Sequence, residues 1–196
     1  MNTLNALPRL KMFLFLIGII TTMSVMSIVP VNAYETFGGS WSDTNVRDLD
    51  WKVKSGIDYY YDIGDAASGA TASWQDCVES DCPDFNQVSS GYEVYILDYY
   101  DDYGYLMFTV NDPDWTSTYT YSRIFVNEYW LDESYYENPQ HMQGVMAHEL
   151  GHTLGLAHED DYGAIVLMYP TDLFWWDCGI YQPEYDDISG VVSIYG

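Results

Sequence analysis

The stretch HELGHTLGLAH, residues 148–158, holds three of the four histidines in the chain. Residues four apart on an α-helix lie one turn apart on the same face, so His148 and His152 can present two imidazoles to one point. His158 comes six residues later, and a straight helix cannot bring it to that point. The helix has to stop and the chain has to turn back. Gly155 is where this can happen, because glycine takes the positive φ that commonly ends helices. A helix, its end and the return of the chain are thereby set by one ion-sized target. Zinc suits three imidazoles with one position left open, since it takes about four ligands in tetrahedral array. Glu149 is not needed as a ligand, and its carboxylate is placed to act as general base toward a zinc-activated water. Such a centre is equipped for peptide hydrolysis. A purely structural zinc site is the weaker reading, because those sites are usually closed by four protein ligands and favour cysteine, and the motif contains none.

The segments before the motif are rich in β-prone residues. Residues 34–50 are polar, glycine-containing and without a clear period, and read as a lead-in. Ile57–Ile63 (IDYYYDI) is expected as a first strand, followed by a helix capped by Asp65 that ends before Pro83. GYEVYILDYY and GYLMFTV alternate well enough for strands on either side of the acidic tip Asp101-Asp102. YSRIFVNEYWL is a further strand, with Ile124 and Val126 on one face and Arg123, Phe125 and Asn127 on the other. Asn138-Pro139 has the form of a cap followed by proline at the first helical position, which starts the histidine-bearing helix. Pro183 and Glu184 open a last helix, with Tyr185, Ile188, Val191, Val192 and Tyr195 on one stripe. Strands first and helices later predict an α+β domain.

The first 33 residues belong to a different category. Arg9 and Lys11 precede an apolar run from Met12 to Val29, and Val31 and Ala33 fit a signal peptidase site. A cleaved signal peptide over residues 1–33 and a secreted domain are expected; the alternative is an uncleaved anchor that holds the same domain outside the membrane. Four basic residues, Arg47, Lys52, Lys54 and Arg123, then face all 30 acidic ones of the chain. That balance repels phosphate backbones and anionic lipid surfaces, which argues against nucleic acid or membrane-surface partners. The acidic tip from Asp98 to Gly104 offers hard oxygen atoms that suit calcium, although no full ligand pattern is present. Cys77, Cys82 and Cys178 are expected to give one disulfide and one free thiol, with Cys77–Cys82 the simplest pairing and Cys178 an alternative partner for either.

HELGHTLGLAH has the H-E-x-x-H-x-x-G-x-x-H form of the metzincin zinc proteases. VLMYP, Val166 to Pro170, looks like the Met-turn of that family. DDISGVVSIYG and RIFVNEYW resemble the C-terminal helix and the strand before the zinc helix in the matrixins, the catalytic domains of matrix metalloproteinases. The resemblance covers residues 51–196 and is strongest from Arg123 onward. It implies the metzincin fold, a twisted, mainly parallel five-stranded sheet with three helices, and endopeptidase activity on extended protein or peptide substrates, with the protein expected as a monomer. It makes His148, His152 and His158 the zinc ligands, Glu149 the general base and Met168 the support beneath the metal. Departures accompany it. Matrixins hold a second, structural zinc with further histidines, whereas only His141 remains here, expected at the solvent-facing start of the helix. No P-R-C-G latency motif is present, and Asp172 stands where a matrixin usually has the tyrosine of its specificity pocket. A secreted zinc-containing binding module without turnover is the rival function, and Glu149 argues against it.

Overall fold

The computed structural model describes residues 34–57, 62–76, 83–131, 138–160, 166–171 and 178–196, all within one compact unit, Asn32–Gly196. The expected signal or anchor segment, Cys77, Cys82 and Asp172 lie outside the described residues. Among the described residues, no helix is long and apolar enough to cross a membrane.

Five strands form one mixed sheet: β1 (Leu49–Val53), β2 (Phe85–Gln87), β3 (Val94–Tyr99), β4 (Met107–Asp112) and β5 (Tyr121–Asn127). Their order is β2-β1-β3-β5-β4. The pairings β1–β2, β1–β3 and β3–β5 are parallel, while β4 runs antiparallel to β5 at the edge. The helices are α1 (Ile63–Gln75), the short α2 (Glu128–Leu131), α3 (Pro139–Thr153) and α4 (Tyr185–Tyr195). The described residues thus hold four helices where the resemblance implies three, because the chain makes an extra turn directly after β5.

Several local expectations are corrected. The first strand is Leu49–Val53, straddling the boundary drawn at residue 50, and Ile63 opens α1 instead of ending a strand. The lead-in is part of the folded unit, since Trp41 is 2% exposed and Val46 fully buried. Asp62, not Asp65, caps α1, and its side chain accepts from the Asp65 amide. Phe85–Gln87 is a strand too short to show a period. On α4 the buried positions are Asp187, Gly190, Val191 and Tyr195, while Tyr185 stands in solvent. That stripe is shifted because a polar residue, Asp187, faces inward. Cys178 is a free and exposed thiol, so neither pairing through it is made.

α3 lies at the centre, buried along nearly its whole length, as expected for a helix packed on several sides. One side meets α1, where Trp74 inserts and its Nε1 donates to the Ala147 carbonyl at 2.8 Å. Another faces the sheet, whose inward positions include Val94, Ile96, Ile124 and Val126, all fully buried. The outward face of the sheet carries an aromatic ladder: Phe108 stacks on Phe125 at 4.7 Å and Tyr92 on Tyr95 at 4.8 Å. Tyrosines at such half-covered positions keep their hydroxyls wet while their rings pack.

Because β5 lies between β3 and β4, the β3–β4 connection has to cross the end of β5. Asn127, fully buried there, holds that crossing. Its Nδ2 donates to the carbonyls of Asp101 (2.7 Å) and Tyr105 (3.0 Å), and its Oδ1 accepts from the amides of Asp101 (3.1 Å) and Tyr129 (3.2 Å). Trp130 adds a bond from Nε1 to the Gly104 carbonyl at 2.9 Å. All four hydrogen-bonding positions of one amide side chain are therefore used. Replacing Asn127 by alanine strands these groups and is expected to cost about 2 kcal/mol in urea unfolding. Amide exchange over residues 101–105 should accelerate in the same variant.

Candidate metal centre and cleft

α3 begins as its sequence demands: Asn138 Oδ1 accepts from the Gln140 amide at 2.9 Å, with Pro139 at the first helical position. It ends at Leu154, and Gly155 follows with φ +99°, a region that side-chain-bearing residues avoid. The turn carries the chain back so that His158 faces His148 and His152. The Nε2 atom of His158 lies 3.2 Å from that of His148 and 3.0 Å from that of His152. Two nitrogens at zinc-bonding distance from one tetrahedral ion are about 3.3 Å apart, so the spacing fits that ion within a few tenths of an ångström.

The outer ring nitrogens are engaged as well. His148 Nδ1 lies 2.8 Å from the Leu167 carbonyl and His152 Nδ1 2.8 Å from the Leu156 carbonyl. A carbonyl can only accept, so both Nδ1 atoms carry hydrogen and both Nε2 lone pairs face inward. Burial drives both imidazoles toward the neutral form, His148 well below the usual histidine range and His152 down to about 3. Neutral rings with converging lone pairs are a donor set for a cation. Among the described residues, this triad is the cluster of metal-ligating side chains that the fold assembles. It fits a zinc site. The acidic tip is not brought together in that way: Asp98 pairs with Lys54, and Asp101 Oδ1 accepts from the Tyr103 amide.

Glu149 is 6% exposed and directed toward β4. Thr109 Oγ1 lies 2.7 Å from Glu149 Oε2 and 3.0 Å from the Glu149 carbonyl, donating to this residue. Burial raises the Glu149 carboxyl to about 7, and the Thr109 hydroxyl works against that rise. One turn on, Asn111 Nδ2 donates to the His152 carbonyl at 2.9 Å, and Ser122 Oγ donates to Asn111 Oδ1 at 2.6 Å. β4 thus meets α3 through a polar seam. Thr109 and Asn111 were not singled out from the sequence. The available signal was their place beside Met107 in an alternating strand, where two polar residues share the face of an apolar one.

Met168 is buried, with its sulfur pressed against Gly151 of α3. A Cβ at Gly151 would come within 2.4 Å of that sulfur, so the Met168 side chain would have to shift to admit one. The turn itself is held by Asp187, whose Oδ2 accepts from the amides of Leu167 and Glu184 (both 2.8 Å) and whose Oδ1 accepts from Met168 at 3.0 Å. Burial nonetheless lifts this carboxyl to about 6. His141 is 2% exposed, which corrects the expectation that it faces solvent; it sits on the side of α3 that the rest of the fold covers.

The triad opens into a cleft of about 640 Å³. Its walls include Leu106, Phe108, Trp130 and Val145, together with Phe37 and Trp115 beside His152. Phe37 and Trp115 were also missed in the sequence, the first because it lies in the segment read as lead-in.

Asp187→Asn tests the support under the triad. The amide can keep one oxygen toward Leu167 and Glu184, but its NH2 then meets the Met168 amide, donor against donor. We expect a loss of about 1–3 kcal/mol in chemical unfolding. Zinc affinity, read by competition with a chromogenic chelator, should fall about tenfold as the Leu167 carbonyl loses its hold on His148.

Comparison with known proteins agrees with this geometry. The family model described as Matrixin matches residues 105–196. The interstitial collagenase of Oryctolagus cuniculus is 54% identical over 52 residues, a match covering 26% of this chain and 10% of that protein. The neutrophil collagenase of Homo sapiens is 52% identical and matrix metalloproteinase-20 of Homo sapiens 48% identical, with the same coverage. The chain therefore spans only about a tenth of the length of these relatives. Among solved structures, a chain of the GM1-bound form of the ECX AB5 holotoxin superposes with TM-score 0.55 over 84% of this chain and 89% of that one. At 16% identity this likeness bears on the fold alone. The histidine triad, Gly155 and Met168 all fall inside the matched residues, and residues 105–196 are matrixin-like in sequence.

Proposed function

We propose that this protein is a secreted zinc-dependent endopeptidase, with His148, His152 and His158 holding the metal, Glu149 as general base and Met168 as support beneath the site. The observation that carries the reading is the meeting of three converging Nε2 atoms with one buried carboxylate on the helix that carries two of them. Bound zinc would supply Lewis acidity, making water a better nucleophile and a peptide carbonyl a better electrophile.

The chain's own residues do the rest. Glu149, kept from bulk water and lifted to about 7, can take a proton from the attacking water and return it to the leaving amine. The Thr109 hydroxyl donates to Oε2 and so orients the carboxylate. β4 is the edge strand, so its outer edge is open to an extended polypeptide that adds as a further strand. Such addition holds the peptide by its backbone beside Glu149 and suits protein substrates of varied sequence. Secretion rests on the N-terminal apolar run and the small residues that follow it.

The test uses the full chain loaded with zinc and an unfolded protein as substrate. Hydrolysis should stop on chelation and resume on adding zinc. Glu149→Gln should retain one zinc per chain and lose roughly 100-fold to 10,000-fold in kcat. Zinc binding by both proteins with no cleavage of a broad substrate panel would favour a binding module instead. Thr109→Val should lower kcat about tenfold, while Thr109→Ser, which restores the hydroxyl, should recover most of it.

A further inference from the structure

One wall of the cleft is built by a segment far from the motif in sequence. Residues 35–41 run as a strap between the turn after α3 and the β4–β5 connection. On one side the Phe37 amide donates to the Gly155 carbonyl at 3.0 Å, and the Ala157 amide donates to the Glu35 carbonyl at 2.8 Å. On the other, the Gly39 amide donates to the Trp115 carbonyl at 2.9 Å and the Tyr119 amide to the Ser40 carbonyl at 2.8 Å. Trp41, 2% exposed, anchors the end of the strap, its Nε1 donating to the Thr153 carbonyl at 2.9 Å. The approach is so close that a Cβ on Gly39 would lie 2.5 Å from the Trp115 carbonyl oxygen.

This clamping fixes where Phe37 stands. Its ring centroid lies 4.4 Å from that of Trp115 and 5.6 Å from that of His152, and the Trp115 ring is 6.4 Å from His152. Both aromatic side chains line the cleft, and both are only half-buried. Two large apolar rings left partly wet beside a catalytic-type triad leave apolar area for something else to cover. Among the described lining residues, Glu149 and the three histidines are the titratable ones with acid or imidazole chemistry, so charge does not select what enters this end.

We propose that Phe37 and Trp115 form a subsite for an apolar side chain of the substrate, within three residues on the N-terminal side of the scissile bond, and that Phe37 is a specificity-determining residue delivered by the strap. The proposal rests on the endopeptidase reading. The side follows from strand direction. β4 runs from Met107 to Asp112 and on toward Trp115, with Thr109 beside Glu149. A peptide adding antiparallel, the slightly more stable pairing, puts its N-terminal half beside the Asp112 end. The step from Thr109 to Asp112 spans about 10 Å, which sets the reach at about three residues.

The experiment digests an unfolded protein mixture with the zinc-loaded full chain and with Phe37→Ala, Phe37→Leu, Trp115→Ala and Tyr185→Ala, and reads the cleavage sites by mass spectrometry. Zinc content and far-UV circular dichroism check each variant. The wild type should enrich Leu, Ile, Val, Met, Phe or Tyr at one of the three positions N-terminal to the cut. For a peptide pair with leucine or alanine at that position, the kcat/KM ratio should be about 10 to 100 in the wild type and fall about tenfold in Phe37→Ala. Phe37→Leu should be intermediate, and Tyr185→Ala, altered at an exposed position on α4, should keep the ratio. Trp115→Ala should reproduce the loss from the other segment, so the outcome does not hang on one variant folding. Persistence of the preference in both alanine variants of the pair, or a preference confined to the C-terminal side, overturns the subsite while leaving the endopeptidase intact. No cleavage by the zinc-loaded wild type overturns the endopeptidase reading itself, and the subsite with it.

Discussion

Three uncharged ring nitrogens aimed at one point, each within 3.2 Å of a neighbour, are the arrangement that the rest of this structure serves. Lone pairs so close repel one another unless a cation sits among them, so the protein has to hold the rings there by other means. It does so from behind. The carbonyls of Leu167 and Leu156 take the outer N–H of His148 and His152, and each of those carbonyls belongs to a turn fixed by something else. Leu156 follows Gly155, whose positive φ returns the chain. Leu167 sits in a turn whose amides are gathered by Asp187 from α4. A carboxylate on the last helix therefore orients an imidazole on the third without touching it, and the C-terminal helix becomes part of the site.

The sheet serves the same end. With β4 outermost, its inner face presents Thr109 and Asn111 to α3, and among the described residues no strand pairs with its outer edge. Exposed sheet edges invite unwanted pairing, and proteins usually cover or interrupt them. Here the edge borders the histidine triad, and in the proposed endopeptidase its backbone groups would grip an extended chain. Asn127 makes this layout feasible: the connection that must cross β5 to reach the edge is tied down by a single amide side chain.

The candidate site was legible in the sequence to the extent that it is local. The spacing of His148, His152, Gly155 and His158 follows from helix geometry and one turn, and Asn138-Pro139 announces where that helix begins. α3, β3, β4 and β5 were legible for a similar reason, since their patterns are long enough to show a period. What was not legible depends on partners distant in the chain. Asp187 sits on the inner side of a helix whose apolar residues suggest a different stripe, because the amides it serves lie about one loop away. Phe85–Gln87 has no pattern of its own and is a strand only because β1 is beside it. The strap around Phe37 resembles irregular chain, since its regularity lies in bonds to Gly155 and Trp115. His141 was misplaced because a position near a helix start says nothing of what packs over it.

The surface and the cleft answer to different physics. The excess of acidic over basic residues, thirty against six, sets a strong field of one sign around the molecule, damped by salt within about a Debye length. Inside the cleft, the walls are largely aromatic and aliphatic, and the ionisable groups beside them include the buried imidazoles of His148 and His152 and the buried carboxylate of Glu149. Those groups interact through protein, where screening by salt is much weaker. Ionic strength can therefore alter how the molecule meets others without altering how Glu149 and the triad face one another. In the proposed endopeptidase, long-range charge would govern approach, and contact with apolar side chains would govern what is held. A chain this acidic would for that reason still select substrates by shape and apolar area.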